Sequence, residues 1–168
     1  MALELNVNSY AIATSADDYF ATRLGSDAWD NASSTDKDSA LVSASLELDN
    51  NNFIGQAVST SQALAWPRNN ATLYDNRMGF NKTYGNTEIP SELIVAVYEQ
   101  ALHILENSEA VSSGPAVNYE NISVGSISLN DSRGQSGSTT PTRVSKFASN
   151  KLIPLLNQPL SGGWWRAN

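Results

Sequence analysis

The residues of this sequence that could act as an acid or a base do not form a recognisable catalytic group. His103, the single histidine, falls near Glu99 and Glu106 on the polar side of an apolar helical segment. A catalytic histidine needs a nucleophile or a second acid beside it, and no Ser or Cys motif of that kind occurs. We therefore interpret His103 as part of a solvated helix face. The adjacent carboxylates Asp17 and Asp18 are explained as residues that complement a helix N-terminus.

Motifs that bind cofactors or metals are also missing from the sequence. None of the 168 residues forms a phosphate-binding loop, a dinucleotide fingerprint, a zinc-ligand spacing, a nucleophile elbow or an EF-hand loop. The sequence has no cysteine, which excludes disulfides and thiolate metal sites. We therefore predict that the protein is not an enzyme and has no catalytic residue, no cofactor and no metal site.

The residue types best suited to binding stand in the run Gln62-Ala63-Leu64-Ala65-Trp66-Pro67-Arg68. Proline fixes its own φ and restricts the residue before it to extended geometry, so the indole of Trp66 is presented in one direction. The direct interpretation is a Trp-Pro corner that fixes a loop onto the core. We predict Trp66, Pro67 and Arg68 as a structural anchor.

A second cluster of large side chains lies at the end of the chain, where Leu160, Trp164, Trp165 and Arg166 surround two glycines. Exposed indoles are costly in water and chain ends are disordered unless tied down, so we expect residues 157–168 to dock somewhere. The tail could fold back on its own core, or it could insert into a partner, because Trp and Arg are residue types that anchor interfaces. We predict these four residues as a partner-binding docking tail.

The charge of the chain argues against nucleic-acid binding. Seventeen acidic and 10 basic side chains give a net charge of −7, the wrong sign for neutralising phosphates. No basic patch interleaved with aromatic residues is present. An acidic surface would let DNA pass without adhering to it. The first ten residues lack a basic region followed by an apolar run, so we expect neither a signal peptide nor a membrane span.

Hydrophobic periodicity predicts a mainly α fold within one domain, residues 1–168. The expected architecture is a small bundle of about four helices with a short β-hairpin and extended N- and C-terminal arms. The predicted elements begin with an extended arm or edge strand at 1–13, a helix at 16–24 capped by Thr14 or Ser15, and a helix at 36–49 that follows a Thr35/Asp38 capping box. A polar loop is predicted at 69–88, and a core helix begins at Pro90. Residues 122–129 form two short strands or contain a bulge, and a short last helix ends at Pro154.

Several segments, taken in order, resemble a family of small tailed-bacteriophage proteins known both as head-tail connector adaptors and as DnaT-like single-stranded-DNA-binding proteins. They are Ala16-Asp17-Asp18-Tyr19-Phe20, the Gln62 to Arg68 run, Ile89-Pro90, Ile122 to Leu129 and Leu152-Ile153-Pro154-Leu155-Leu156. The sequence departs from the family pattern in residues 69–88 and in the Ser/Gly-rich stretch after Leu129.

The resemblance implies a helical bundle whose copies form a ring, usually a dodecamer, beneath the portal, with the C-terminal tail reaching into the portal. Together with the acidic charge, it leads us to expect a head-to-tail connector that binds the portal and a downstream neck or tail protein. DNA would pass through the ring without specific binding, and no membrane would be involved. The protein would be located in the neck of the virion, and in the host cytoplasm during assembly. The alternative is a single-stranded-DNA-binding replication accessory protein of the DnaT type.

Overall fold

The computed structural model describes residues 2–75, 78–107 and 144–157, together with the backbone of 122–124 and 127–129. The chain, predicted as a single domain, divides into two compact units, Met1–Glu106 with Val144–Asn168, and Asn107–Arg143. The described residues are helix-rich with small antiparallel sheets, which agrees with the predicted predominance of helices.

The first unit is built around one buried helix. Its helices are α1 (Ala13–Phe20), α2 (Asp27–Asp30), α3 (Ser34–Asp49), α4 (Ser91–Glu106) and α5 (Lys146–Leu152), which continues as a 3-10 turn, Ile153–Leu155. Helix α4 packs against both α3 and α5 and buries the continuous run from Ala96 to Leu102. This is the core helix that the apolar stripe after Pro90 predicts.

A buried glutamine joins the three packed helices. Gln100 on α4 is fully buried; its Nε2 donates to Glu47 Oε2 on α3 at 2.7 Å, and its Oε1 accepts from the Ser145 amide, just before α5, at 2.9 Å. Because a buried amide is costly unless its hydrogen bonds are made, this residue fixes the mutual register of the three helices.

Helix α1 lies three residues earlier than predicted. It begins after Ile12, which makes no side-chain capping bond, so the predicted cap at Thr14 or Ser15 is wrong. After Phe20 the chain turns, and Gly25 adopts a positive φ of 77°. Leu24, the last residue of the predicted helix, lies outside α1 and is 96% exposed.

The capping box of α3 is displaced by two residues from its predicted place. Ser33 is the N-cap: its hydroxyl accepts the Asp36 amide at 3.2 Å and donates to the Asp36 carboxylate at 2.7 Å. Both Ser33/Asp36 and Thr35/Asp38 have the Ser/Thr-x-x-acid spacing, so the motif alone could not distinguish them. The predicted end at Asp49 is confirmed.

The N-terminal residues form a turn instead of an extended strand. The Asn8 side chain accepts the Glu4 amide and donates to the Ala2 carbonyl, both at 2.8 Å. Local bonds of this kind compete with strand pairing. They close the chain on itself and lead Tyr10, which is 2% exposed, into the core.

Short antiparallel pairs complete the described fold. They are β1 (Gln56–Ala57) with β2 (Arg68–Asn69), β3 (Thr72–Asp75) with β4 (Phe80–Thr83), and β5 (Ile122–Val124) with β6 (Ile127–Leu129). The last pair matches the two-strand alternative predicted for 122–129. The polar loop predicted at 69–88 is wrong, because most of that segment is the β3–β4 hairpin.

Candidate functional site

The predicted anchor, Trp66 with Pro67 and Arg68, is held inside the first unit. Trp66 is 2% exposed, and the peptide bond to Pro67 is cis. The indole meets the rings of Phe53 and Tyr84 edge to face, with centroids 6.0 and 5.7 Å away. Edge-to-face packing of aromatic rings adds to the stabilisation from burial. The indole therefore closes the core and does not reach outward to a partner.

The backbone leading into Trp66 is held by two residues from distant parts of the chain. The Asp49 carboxylate, at the end of α3, accepts the Ala65 amide at 2.9 and 3.0 Å. Tyr10 donates its hydroxyl hydrogen to Asp49 and accepts the Trp66 amide at 3.1 Å. Burial, with the adjacent Asp49 carboxylate, raises the pKa of Tyr10. A segment with no regular structure thus has its amides satisfied by side chains.

Arg68 contributes its charge to the same corner. Its guanidinium donates to the carbonyls of Ile54 at 2.8 Å, Gly55 at 2.9 Å, Ala65 at 3.2 Å and Phe53 at 3.4 Å. These carbonyls belong to residues near both ends of the loop that joins β1 to β2. The arginine therefore closes this loop where the two strands meet. Its donors are used within the chain.

The indole N–H of Trp66 is the one buried side-chain donor of the described residues that has no hydrogen-bond partner. Trp29, the other fully buried indole of the described residues, donates its N–H to Asp17 at 2.8 Å. The two tryptophans therefore differ in one hydrogen bond, a difference that mutation can measure.

The prediction that Glu99 shares a solvated helix face with His103 is wrong, because the Glu99 side chain is only 5% exposed. Its carboxylate pairs with Arg23 at 2.7 Å and accepts the Tyr19 hydroxyl at 2.7 Å. His103 is half-buried and Glu106 exposed. The sequence could not reveal this pair, since Glu99 and Arg23 are 76 residues apart.

Alkaline pH is expected to test this contact. Burial, reinforced by the Glu99 carboxylate, raises the pKa of Tyr19 to about 12, whereas an unfolded tyrosine titrates near ~10. Above the unfolded pKa the unfolded chain has lost a proton that the folded chain keeps, so stability should fall as pH rises from about 10 to about 12. Thermal melts of the wild type and of Tyr19→Phe measure this. The variant should show a shallower decline, and an unchanged slope would contradict the assignment.

Asp17 is bound by side chains and does not serve as a helix cap. Lys37 Nζ lies 2.9 Å from Asp17 Oδ1, which also accepts the Trp29 indole. The Lys37 hydrogen bond, with help from Trp29, holds the pKa of the Asp17 carboxyl below its usual value. Trp29 lies in α2 and packs on Phe20, with the two ring centroids 4.9 Å apart.

The β3–β4 hairpin carries exposed apolar side chains in a segment that was predicted to be a loop. Tyr74, Met78 and Phe80 are 59%, 60% and 54% exposed. The sequence signal for this hairpin is weak: Gly79, whose φ is 74°, marks a turn, but neither Thr72–Asp75 nor Phe80–Thr83 alternates strictly between apolar and polar residues.

The predicted docking tail, Leu160, Trp164, Trp165 and Arg166, lies outside the described residues. The structure does place the point from which it departs. Asn157 donates to the Asn52 carbonyl at 2.8 Å, and Ile54 donates to the Leu155 carbonyl at 2.9 Å. The tail thus departs beside Phe53, which packs on Trp66.

The described part of the chain offers no group of three or more His, Cys, Asp or Glu side chains placed to hold a metal ion. Within the same residues, no helix has the length and apolar character needed to cross a bilayer. The contacts at the anchor lie within the chain, and the described residues define a small helix-rich protein that also exposes several large apolar side chains.

Comparison with known sequences identifies the family. The profile of the family described as "Putative DnaT-like ssDNA binding protein" matches residues 2–165. The match spans nearly the whole chain, and the chain therefore belongs to this family. No curated protein and no solved structure matches it.

Proposed function

We propose that this protein is a structural connector of a tailed bacteriophage, whose copies form a ring between the portal and the neck or tail. The observation that carries this proposal is the internal use of cationic side chains. The described residues contain six of the ten lysines and arginines: Arg23, Lys37, Arg68, Lys82, Lys146 and Lys151.

Half of these cations bind groups within the chain. Arg23 pairs with Glu99, Lys37 with Asp17, and Arg68 with backbone carbonyls. Lys82 lies 4.2 Å from the centroid of the Tyr84 ring. A protein that binds single strands needs a groove of free cations along the phosphates, with aromatic rings beside it. With a net charge of −7, this chain is better suited to let DNA pass than to hold it.

The proposed arrangement gives the tail a fixed origin. The bonds of Asn157 and Leu155 to residues 52–54 tie the end of the described chain to the Trp66 corner. We propose that residues 157–168 extend from there as a docking arm, and that Leu160, Trp164, Trp165 and Arg166 insert into the portal. The bundle itself, with Tyr74 and Phe80 exposed on the β3–β4 hairpin, would contact neighbouring copies and the downstream neck protein.

The remaining features of the proposal come from the resemblance of the sequence to connector proteins. The ring is a dodecamer, DNA passes through it without specific contacts, and no membrane takes part. The protein acts in the virion neck and is assembled in the host cytoplasm, without enzymatic activity. The second candidate function, a DnaT-like single-stranded-DNA-binding accessory protein, is favoured by the description of its family.

Deleting Trp164–Asn168 tests the connector proposal. The deletion is expected to leave the melting temperature of the first unit unchanged but to abolish co-sedimentation with the portal ring of the same phage. Retained docking would refute the role of the tail. In parallel, anisotropy of a labelled oligothymidylate at physiological salt should show no binding by the full chain; a tight, salt-sensitive complex would favour the second candidate.

A further inference from the structure

One face of α5 and its 3-10 extension is exposed and carries an unusual combination of side chains. Phe147 is 64% exposed and Ile153 is 50% exposed. The buried positions of this segment, Ala148, Leu152 and Leu155, lie on the opposite side, facing α4. We call the exposed residues the α5 face: Lys146, Phe147, Asn150, Lys151, Ile153 and Pro154.

The α5 face has an apolar centre with positive charges around it. Residues 144–157 contain two charged side chains, Lys146 and Lys151, and no acidic one. Both lysines are exposed, and no ion pair of either is found among the described residues. Arg23 stands 5.6 Å from the Phe147 ring centroid, but Glu99 neutralises it. An exposed aromatic residue within a charged rim has the composition of a protein interface.

The complementary charge is present on the same chain. Asp27 and Asp30 are exposed on α2, and Asp36 is exposed in the first turn of α3, three residues after Ser33, the N-cap of that helix. We call these three the aspartate surface. Asp30 and Asp36 accept hydroxyl groups of nearby serines, and no lysine or arginine in the described segments pairs with any of the three.

We propose that the α5 face docks on the aspartate surface of a second copy of this chain. The inference rests on the proposed function, since it supplies the lateral contact of the ring. Lys146 and Lys151 would face the aspartates while Phe147 and Ile153 are removed from water. Because the two surfaces differ, the contact is heterologous, the type that builds rings when its rotation closes.

A charge-swap experiment tests this contact. Lys146→Glu with Lys151→Glu should weaken self-association by at least about tenfold, because like charges then face each other across the contact. Asp27→Lys with Asp30→Lys should have the same effect. An equimolar mixture of the two variants should restore association. Glu4→Lys with Glu106→Lys is the matched control: it makes the same charge change as the aspartate variant at exposed positions outside both surfaces.

Sedimentation velocity of the full-length protein, alone and with the portal ring, provides the readout, and circular dichroism establishes that each variant is folded. Restoration in the mixture, with the control behaving as wild type, supports the contact. Undiminished association of the lysine variant overturns it. Single copies of wild type bound to the portal overturn it too and remove the ring from the proposed function, but they leave docking to the portal standing. A wild-type protein that neither self-associates nor binds the portal would overturn both this contact and the proposed connector function. Oligonucleotide binding lost in the lysine variant would assign the α5 face to nucleic acid instead.

Discussion

Replacing Trp66 by alanine is expected to lower the free energy of unfolding by about 3–5 kcal/mol, the range for deleting a large buried aromatic side chain. The indole is 2% exposed and is enclosed by the edges of Phe53 and Tyr84. Its removal leaves a cavity beneath the corner where β1 and β2 meet and where the C-terminal segment departs. Urea unfolding, with a constant m-value between variants, measures the loss.

Phenylalanine substitutions separate packing from hydrogen bonding in this prediction. Trp66→Phe keeps an aromatic ring and loses no hydrogen bond found in the described residues, because the indole N–H has no partner. Trp29→Phe loses the bond to Asp17. The Trp29 variant should therefore be the less stable of the two by about 1 kcal/mol, the net worth of one hydrogen bond. Equal losses would contradict the assignment of Trp66 as an unpartnered donor.

Gly55→Ala is expected to destabilise the protein by about 3 kcal/mol or more, because strain and overpacking add at one position. Gly55 has a φ of 75°. A Cβ there would stand 2.5 Å from Asn69 O, 2.8 Å from Ala71 N and 2.9 Å from Ala71 Cα. All three atoms belong to the backbone, so a rotamer change cannot relieve the overlap. The variant should also weaken the β1–β2 pairing, where Gln56 lies opposite Asn69.

Gly25→Ala is the control for that prediction. Its φ of 77° is nearly the same, but an added Cβ meets nothing within 4 Å. It should cost about 1 kcal/mol, the penalty for a left-handed backbone with a side chain. Urea midpoints of both variants can be compared directly. If both substitutions cost the same, the close approach of Gly55 to residues 69–71 has no energetic consequence.

The sequence was informative where one apolar stripe determines an element. Pro90 and the stripe that follows it predict α4, and the spacing of Ala40, Leu41, Ala44 and Leu48 predicts α3; each of these four side chains is buried. The alternation of apolar and polar residues near the N-terminus predicted an extended arm or strand. This prediction was wrong at residues 2–10, because the side-chain hydrogen bonds of Asn8 favour a turn over a strand. Periodicity reports which side chains prefer burial, but it does not report local hydrogen bonds that compete with a strand.

The predicted anchor was chosen by residue type, and its hydrogen-bond partners could not be predicted from the sequence. Trp66, Pro67 and Arg68 stand out by residue type, and the structure places all three at one corner. The side chains that hold this corner, Tyr10 and Asp49, are 56 and 16 residues away from the segment they bind. No local pattern marks them, since each bond depends on how the bundle brings separate elements together.

The exposed surfaces also could be predicted only in part from the sequence. Among the aromatic residues of the predicted loop at 69–88, Tyr84 is covered, being 3% exposed. Tyr74 and Phe80 remain exposed because the hairpin projects them from the core. Similarly, Phe147 is an apolar residue of α5, yet it is exposed, because its neighbour Ala148 and Leu152 occupy the buried side of the helix. One residue of helical rotation separates the two outcomes.

Imaging the full-length chain together with the portal ring of its phage, by electron cryo-microscopy, is the most direct test of the proposed connector function. The account predicts a closed ring of copies beneath the portal, with a C-terminal tail from each copy inserted into it and a central opening free of protein. A portal left bare, in a sample whose chain remains monomeric and coats added single-stranded DNA, would contradict it.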